Sequence, residues 1–303
     1  VQLVVSIFVS DILPIFIIAG VGFLLARRLG ANVKTLATVT FNALSPCLVF
    51  DQLVTARISG SQSLRMAAFC VLLTLAIGIA ARVTSMPLRL DRTTLSTFLL
   101  VAMFSNSGNY ALPVVLFAFG KDALAFASVY FVTSAILIYT FGILVAASGG
   151  ASVKAAWARL FKVPAVYAVT AAVIVLATRT TMPEAVMRPI HLLSDAAIPV
   201  MLLVLGMQLE RATMPKRPAV VAAAVVLSLV VAPMIAFGLT AALGLAGAAR
   251  QAAIVEASMP AAVITTVLAL EFDLDASFAT SVVFFTTLLS PITLVVLIAY
   301  LQR

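Results

Sequence analysis

The chain has 303 residues, 63% hydrophobic and only 10% charged, with a formal net charge of +8. So little charge excludes an ordinary water-soluble domain. The apolar residues come in long blocks without period-two alternation, which excludes a membrane strand barrel. A helix needs about 20 apolar residues to cross the hydrocarbon core. Ten blocks suffice: 3–26, 33–54, 64–82, 94–120, 122–147, 163–181, 186–209, 217–245, 248–270 and 276–301. The expected fold is an all-α, multi-pass integral membrane protein with little chain left for a soluble domain.

Ser10-Asp11 interrupts the first block and no small-residue cleavage site follows, so it reads as a span rather than a removed signal peptide. The second block carries Asn42 with Ser45-Pro46, polar groups that either bend the helix or line a pocket. Cys47 and Cys70 fall within spans and read as small apolar fillers, not as a disulfide or metal ligands.

The fourth block contains Ser105-Asn106-Ser107-Gly108-Asn109-Tyr110-Ala111-Leu112-Pro113. Pro113 lacks an N–H and disfavours helix at Leu112, and Gly108 allows a non-helical backbone. Asn106, Ser107 and Asn109 can satisfy the freed groups. The helix is expected to break here and restart near Pro113, presenting a partly positive N-terminus at mid-membrane. Ser128 and Thr133 in the fifth block, and Ser281 and Thr286 in the tenth, are expected to bond back to their own helices, with a ligand role as the alternative.

Residues 148–162 join the fifth and sixth blocks. Trp157, Leu160 and Phe161 fall on one helical face beside Lys154, Arg159 and Lys162, so the segment reads either as a cytoplasmic interfacial helix or as a plain loop. His191 opens the seventh block and reads as interfacial. Ser194-Asp195 with Pro199 follow, and a mid-span carboxylate such as Asp195 is a functional candidate.

The ninth block repeats the device of the fourth, as Glu256-Ala257-Ser258-Met259-Pro260. Burial and the carbonyl dipoles at a helix end both oppose ionisation of Glu256. It is therefore expected to be protonated, or compensated by a bound cation or a basic partner. Glu271, Asp273 and Asp275 lie at a loop and read as solvated, with Asp275 and Asp122 as helix N-caps.

The loops after blocks 1, 3, 5 and 7 hold twelve of the 19 Lys and Arg residues. Basic loops stay in the cytoplasm, which places both termini outside it, in the plasma membrane (the inner membrane of a bacterium). The positive charge is thus a topology signal, and no nucleic-acid partner is expected. A lone histidine excludes a His-Glu-x-x-His zinc site, and no Gly-x-x-x-x-Gly-Lys-Ser/Thr loop is present. No nucleophile–base set points to an enzyme, and no output domain points to a sensor.

The chain also repeats itself at an offset of 153. Asn42-Ala43-x-x-Pro46 matches Asp195-Ala196-x-x-Pro199. Phe119-x-x-Asp122-Ala123 matches Phe272-x-x-Asp275-Ala276, and Ser128-Val129-x-Phe131-x-Thr133 matches Ser281-Val282-x-Phe284-x-Thr286. Five spans per half force the second half to enter the membrane the opposite way round. The result is two inverted repeats, 1–147 and 163–303, with broken helices 4 and 9 meeting between them. The starts of the two second half-helices would form a positive pole for a carboxylate. The ends of the first half-helices would form a negative pole for a cation.

At Asn106-x-Gly108-Asn109-x-x-Leu112-Pro113 and Phe119-Gly120 the chain resembles the auxin efflux carrier family, which includes plant PIN-type carriers and bacterial malonate or malate permeases. Leu44-Ser45-Pro46, Ala197-x-Pro199, Leu205-Gly206, Met259-Pro260 and Ser290-Pro291-x-Thr293 extend the resemblance over essentially the whole chain. It implies a scaffold of helices 1, 2, 6 and 7 that also forms a homodimer. A mobile unit of helices 3–5 and 8–10, with helices 4 and 9 crossed, would carry an organic anion by elevator-type movement. The plant carriers bind the substrate carboxylate at an asparagine seven residues before the helix-4 proline, a spacing that Asn106 occupies. A glutamate in helix 9 is similar to the bile-acid sodium symporter fold, which implies a sodium ion at Glu256.

The expected function is secondary active or facilitative transport of a small carboxylate. Asn106, Ser107, Gly108, Asn109, Pro113, Ser258 and Pro260 would form the substrate site, with Asn42 and Ser45 as further lining. Val114 and Ile264 would touch the organic body. Glu256, Asn109, Ser128 and Asp195 are the ion-coupling candidates, sodium or a proton the candidate ions, and no other cofactor is expected. The alternative is a cation–proton antiporter, which needs two facing buried acids and could draw them from Asp195 and Glu256.

Overall fold

The structure is a computed structural model, and it describes residues 2–55, 60–147, 164–210 and 217–302. All regular secondary structure among the described residues is helical, apart from one isolated backbone bridge. In chain order the helices are α1 (Val5–Leu29), α2 (Val33–Thr55), α3 (Gly60–Ser85), α4 (Arg92–Met103), α5 (111–119), α6 (121–147), α7 (Pro164–Thr178), α8 (Glu184–Leu209), α9 (Pro218–Ala242), α10 (Gly247–Ala257), α11 (Ile264–Glu271) and α12 (Ala276–Leu301). Among the described residues, seven helical stretches are long and apolar enough to cross a membrane: α1, α2, α3, α8, α9, α12 and Ala111–Ala146, which runs through α5 and almost all of α6. Each of the ten expected apolar blocks coincides with one helix or with a closely spaced pair. The expected interfacial helix at 148–162 lies outside the described residues.

Local chemistry accounts for the boundaries. Asn32, Asp91 and Asp275 cap α2, α4 and α12 by accepting the amide N–H of Thr35, Thr94 and Phe278, the last as the sequence leads one to expect. Asp91 accepts from the Thr94 amide and the Thr93 hydroxyl, and Arg217 lies 2.9 Å away. These contacts, the backbone bond foremost, hold its carboxyl well below the usual carboxylate range. Gly120 divides α5 from α6 at φ 77°, ψ −168°, a backbone shape that a residue with a Cβ resists.

Three of the four widened, π-type turns lie just ahead of a proline: Phe8–Ile12 before Pro14, Thr40–Leu44 before Pro46 and Leu227–Val231 before Pro233. A proline offers no N–H to the carbonyl four residues back, and its ring crowds that carbonyl. The helix takes up the misfit as a local widening. Small residues set the closest helix pair. An added Cβ on Gly206 of α8 would overlap the Ala19 carbonyl of α1, and one on Gly22 of α1 would overlap the Leu203 carbonyl of α8. In lipid, such backbone approach is a principal means of joining helices.

Candidate functional site

The fourth and ninth blocks are both interrupted. α4 ends at Met103 and α5 begins at Ala111, while α10 ends at Ala257 and α11 begins at Ile264. The two unwound stretches lie side by side. Ser105 and Ala261 form an antiparallel bridge, the Asn106 N–H donates to the Pro260 carbonyl at 2.7 Å, and the Ala262 N–H donates to the Phe104 carbonyl at 2.8 Å. Each break thereby satisfies backbone groups freed by the other, as buried backbone must.

The prolines play unlike parts. Pro113 sits inside the first turn of α5, where no N–H is needed, so the helix starts two residues earlier than Pro113. Pro260 stays in the extended stretch, and the second half-helix starts only at Ile264. This corrects the expected restart at the proline: the cross-break bonds on either side of Ala261 hold residues 260–262 extended. Gly108 lies in the non-helical turn, as the sequence leads one to expect, and it has a further reason to be glycine. Its φ is not left-handed, but a Cβ would come within 2.9 Å of the Phe131 ring.

The sequence-chosen residues of the two breaks gather here. Asn106 and Ser107 are buried, Gly108 and Asn109 half-buried, and Pro113 and Val114 buried in the first turn of α5. Ser258 and Pro260 are buried, Ile264 half-buried, and Glu256 is 0% exposed in the last turn of α10. Two features point to a ligand. The Asn106 Nδ2 donor is buried without an acceptor, and both carboxylate oxygens of Glu256 are buried without a donor. Cys70 of α3 and Tyr130 of α6 lie close enough to Glu256 to interact electrostatically with it. Neither supplies a positive charge. Among the described residues the only buried members of the acidic and basic residue types are Glu256 and Asp51.

Hydroxyls around the breaks are largely engaged. Ser128 donates to the Leu124 carbonyl, Thr133 to Val129 and Ser258 to Ile254. Sequence reasoning missed four contributors: Ser105 and Tyr130, whose side chains bond to each other, and Tyr110 and Ser290, whose hydroxyl oxygens lie 3.0 Å apart. Nor did it see that Thr286 reaches the second break, where its oxygen accepts the Ala261 N–H at 3.1 Å. The back-bond expected of Thr286 is present, its hydroxyl donating to the Val282 carbonyl of its own helix.

Other candidates lie apart. Asn42 is exposed and donates to the Thr38 carbonyl of its own helix, while Ser45 is buried in α2. Asp195 is exposed and lines a cavity of about 230 Å³ with Ile18, Asp51, Gln52, Lys121 and Ser194. None of the break residues lines that cavity. His191 is tied to it through Asp51, whose Oδ1 lies 2.8 Å from the imidazole Nδ1.

Comparison with known proteins places the chain among membrane transporters. A family model described as a membrane transport protein matches residues 7–298. An uncharacterized transporter of Methanothermobacter thermautotrophicus is 28% identical over 94% of this chain and 95% of its own length. An uncharacterized transporter of Methanocaldococcus jannaschii is 25% identical over 86% of each chain. A probable auxin efflux carrier component of Oryza sativa subsp. japonica is 35% identical over 46% of this chain and 25% of its own. With the family match running almost end to end, this chain belongs to the auxin efflux carrier family of membrane transporters.

Proposed function

We propose that the chain is a secondary active or facilitative transporter of a small organic anion. It is built as ten transmembrane helices in two inverted five-helix repeats, residues 1–147 and 163–303, with 148–162 as the linker. α1, α2, α7 and α8 form a scaffold that pairs with a second copy. α3–α6 and α9–α12 form the unit that moves by an elevator-type step, with α4–α5 and α10–α11 as its broken helices.

The observation that carries this reading is the coexistence, beside one short antiparallel pairing, of an orphaned buried donor and an orphaned buried carboxylate. Asn106 Nδ2 and the partly positive N-terminus of α5 suit a substrate carboxylate. Val114 and Ile264 offer apolar surface to its body, and Asn109 extends the polar lining. Glu256, at the carbonyl end of α10, suits a sodium ion or a proton, because an unpaired ionised carboxylate is costly when buried. Dicarboxylates and auxin-like acids are the substrate classes to test, the latter because the Oryza sativa relative is a probable auxin efflux carrier component. An antiporter would need a second acid facing Glu256, and the exposed position of Asp195 at another cavity weighs against it.

The test begins with thermal stabilisation of the purified protein by malonate, malate and indole-3-acetate, with and without sodium, since a ligand selective for the native state raises its melting temperature. Uptake into proteoliposomes follows. Normal binding and transport by Asn106→Ala would remove the carboxylate placement. A Glu256→Gln protein with the usual rate and the usual response to pH and sodium would remove the coupling role. Cation exchange with no organic solute present would replace the reading with the antiporter.

A further inference from the structure

We propose that Thr286 and Ser290 of α12 form a two-point clamp that sets the position of both interruptions, and that both act as positioning residues for the anion site. The inference rests on the reading of the breaks as a carboxylate site. It concerns what holds that site in shape.

Thr286 is fully buried and donates its hydroxyl proton to the Val282 carbonyl at 2.7 Å. That bond belongs to its own helix. The second bond does not: a lone pair of the same oxygen accepts the Ala261 N–H. Ala261 is the centre of the cross-break pairing, flanked by Pro260, which accepts from Asn106, and Ala262, which donates to Phe104. One side chain thus fixes the strand on which the Asn106 backbone is hung, and with it the place of the residue that carries the orphaned Nδ2. One turn further along α12, on the same face, Ser290 Oγ lies 3.0 Å from the hydroxyl of Tyr110. Tyr110 is the buried residue immediately before α5. The clamp therefore holds the second break at its middle and the first at its end.

The device is confined to one half. At the repeat offset the counterparts are Thr133, half-buried and bonded to Val129 of its own helix, and Leu137, which has no polar atom to offer. Fold symmetry alone does not call for the clamp, so its presence in α12 is a property of the site. A valine at 286 keeps the shape of threonine but leaves a buried N–H without a partner, a costly state where no water can replace it. A serine keeps the acceptor.

Hydrogen–deuterium exchange on the purified protein without ligand tests the contact itself. In Thr286→Val, peptides covering residues 257–264 should exchange about tenfold faster than in the unaltered protein, and Thr286→Ser should restore protection. Ser290→Ala should instead speed exchange in residues 105–111. Unchanged exchange in Thr286→Val would overturn the clamp.

Transport of indole-3-acetate and malonate in proteoliposomes tests positioning. Thr286→Val should raise KM about tenfold with kcat within about twofold, with rescue by serine. A fall in kcat and melting temperature with KM unchanged would mean a merely structural role, and would also overturn it. If the unaltered protein carries neither probe, the carboxylate reading fails at that point, and the exchange measurements still decide the clamp.

Discussion

Residues 104–110 and 258–263 interrupt two helices in corresponding halves of the chain, yet their chemistry is opposite. The first stretch holds Ser105, Asn106, Ser107 and Asn109: neutral groups rich in donors, one of them orphaned. The second is apolar apart from Ser258, and the polar group that matters is Glu256, one turn earlier and with acceptors only. The first break restarts its helix through Pro113; the second keeps Pro260 extended and lends its carbonyl to the first. Two helices, one in each half of the chain, thus carry like openings. What distinguishes them is the side chain set beside each one, a donor without an acceptor at the first and a carboxylate without a donor at the second.

Four substitutions break or sharpen that contrast. The largest effect belongs to Glu256→Gln, which should abolish the dependence of anion uptake on sodium or pH, measured as initial rates in proteoliposomes under imposed gradients. Asn106→Ala should leave that dependence in place while weakening carboxylate binding about ten- to a hundredfold by calorimetry, the usual worth of a hydrogen bond to a charged group. If each variant produced the other's phenotype, the assignment of sides would be reversed. Gly120→Ala, beyond the first break, should cost about 1–3 kcal/mol in a denaturation series, because the backbone shape there excludes a side chain.

The smallest effect is expected at Asp91. Its carboxyl is held low in the folded state by the Thr94 amide and its other partners. The stability it contributes is present above the ordinary aspartate value near pH ~3.9 and is lost as pH falls toward the depressed folded value. Asp91→Asn should therefore melt lower than the unaltered protein at neutral pH, with the gap closing on acidification below about pH 4. Half-exposure of the Asp91–Arg217 pair keeps that gap small.

Much of this was legible in the sequence because lipid punishes irregularity. A polar residue and a proline inside an apolar block are expensive, so Asn106, Asn109, Pro113, Glu256 and Pro260 stood out, and the blocks themselves marked the helices. What was not legible is long-range. Nothing in the spacing of Phe104 and Asn106 says that their backbone partners are Ala262 and Pro260, and hence that α11 must start late. A threonine that bonds back to its own helix looks the same in sequence whether or not its lone pair serves another element, so the expected back-bond fits Thr133 and Thr286 alike and leaves the link to Ala261 hidden. Asn42 and Asp195 matched each other by position, but matching position does not determine which way a side chain faces.

The pairing of Phe104 with Ala262 and of Asn106 with Pro260 also bears on biogenesis. During synthesis the earlier of the two segments must enter the bilayer while its hydrogen-bonding mates are still on the ribosome. Its open amides would have to be kept hydrated, by the insertion machinery or by a water-filled crevice, until the later segment arrives. The two halves are thus joined in maturation as well as in final form, and a chain truncated after residue 147 should be handed to quality-control proteases.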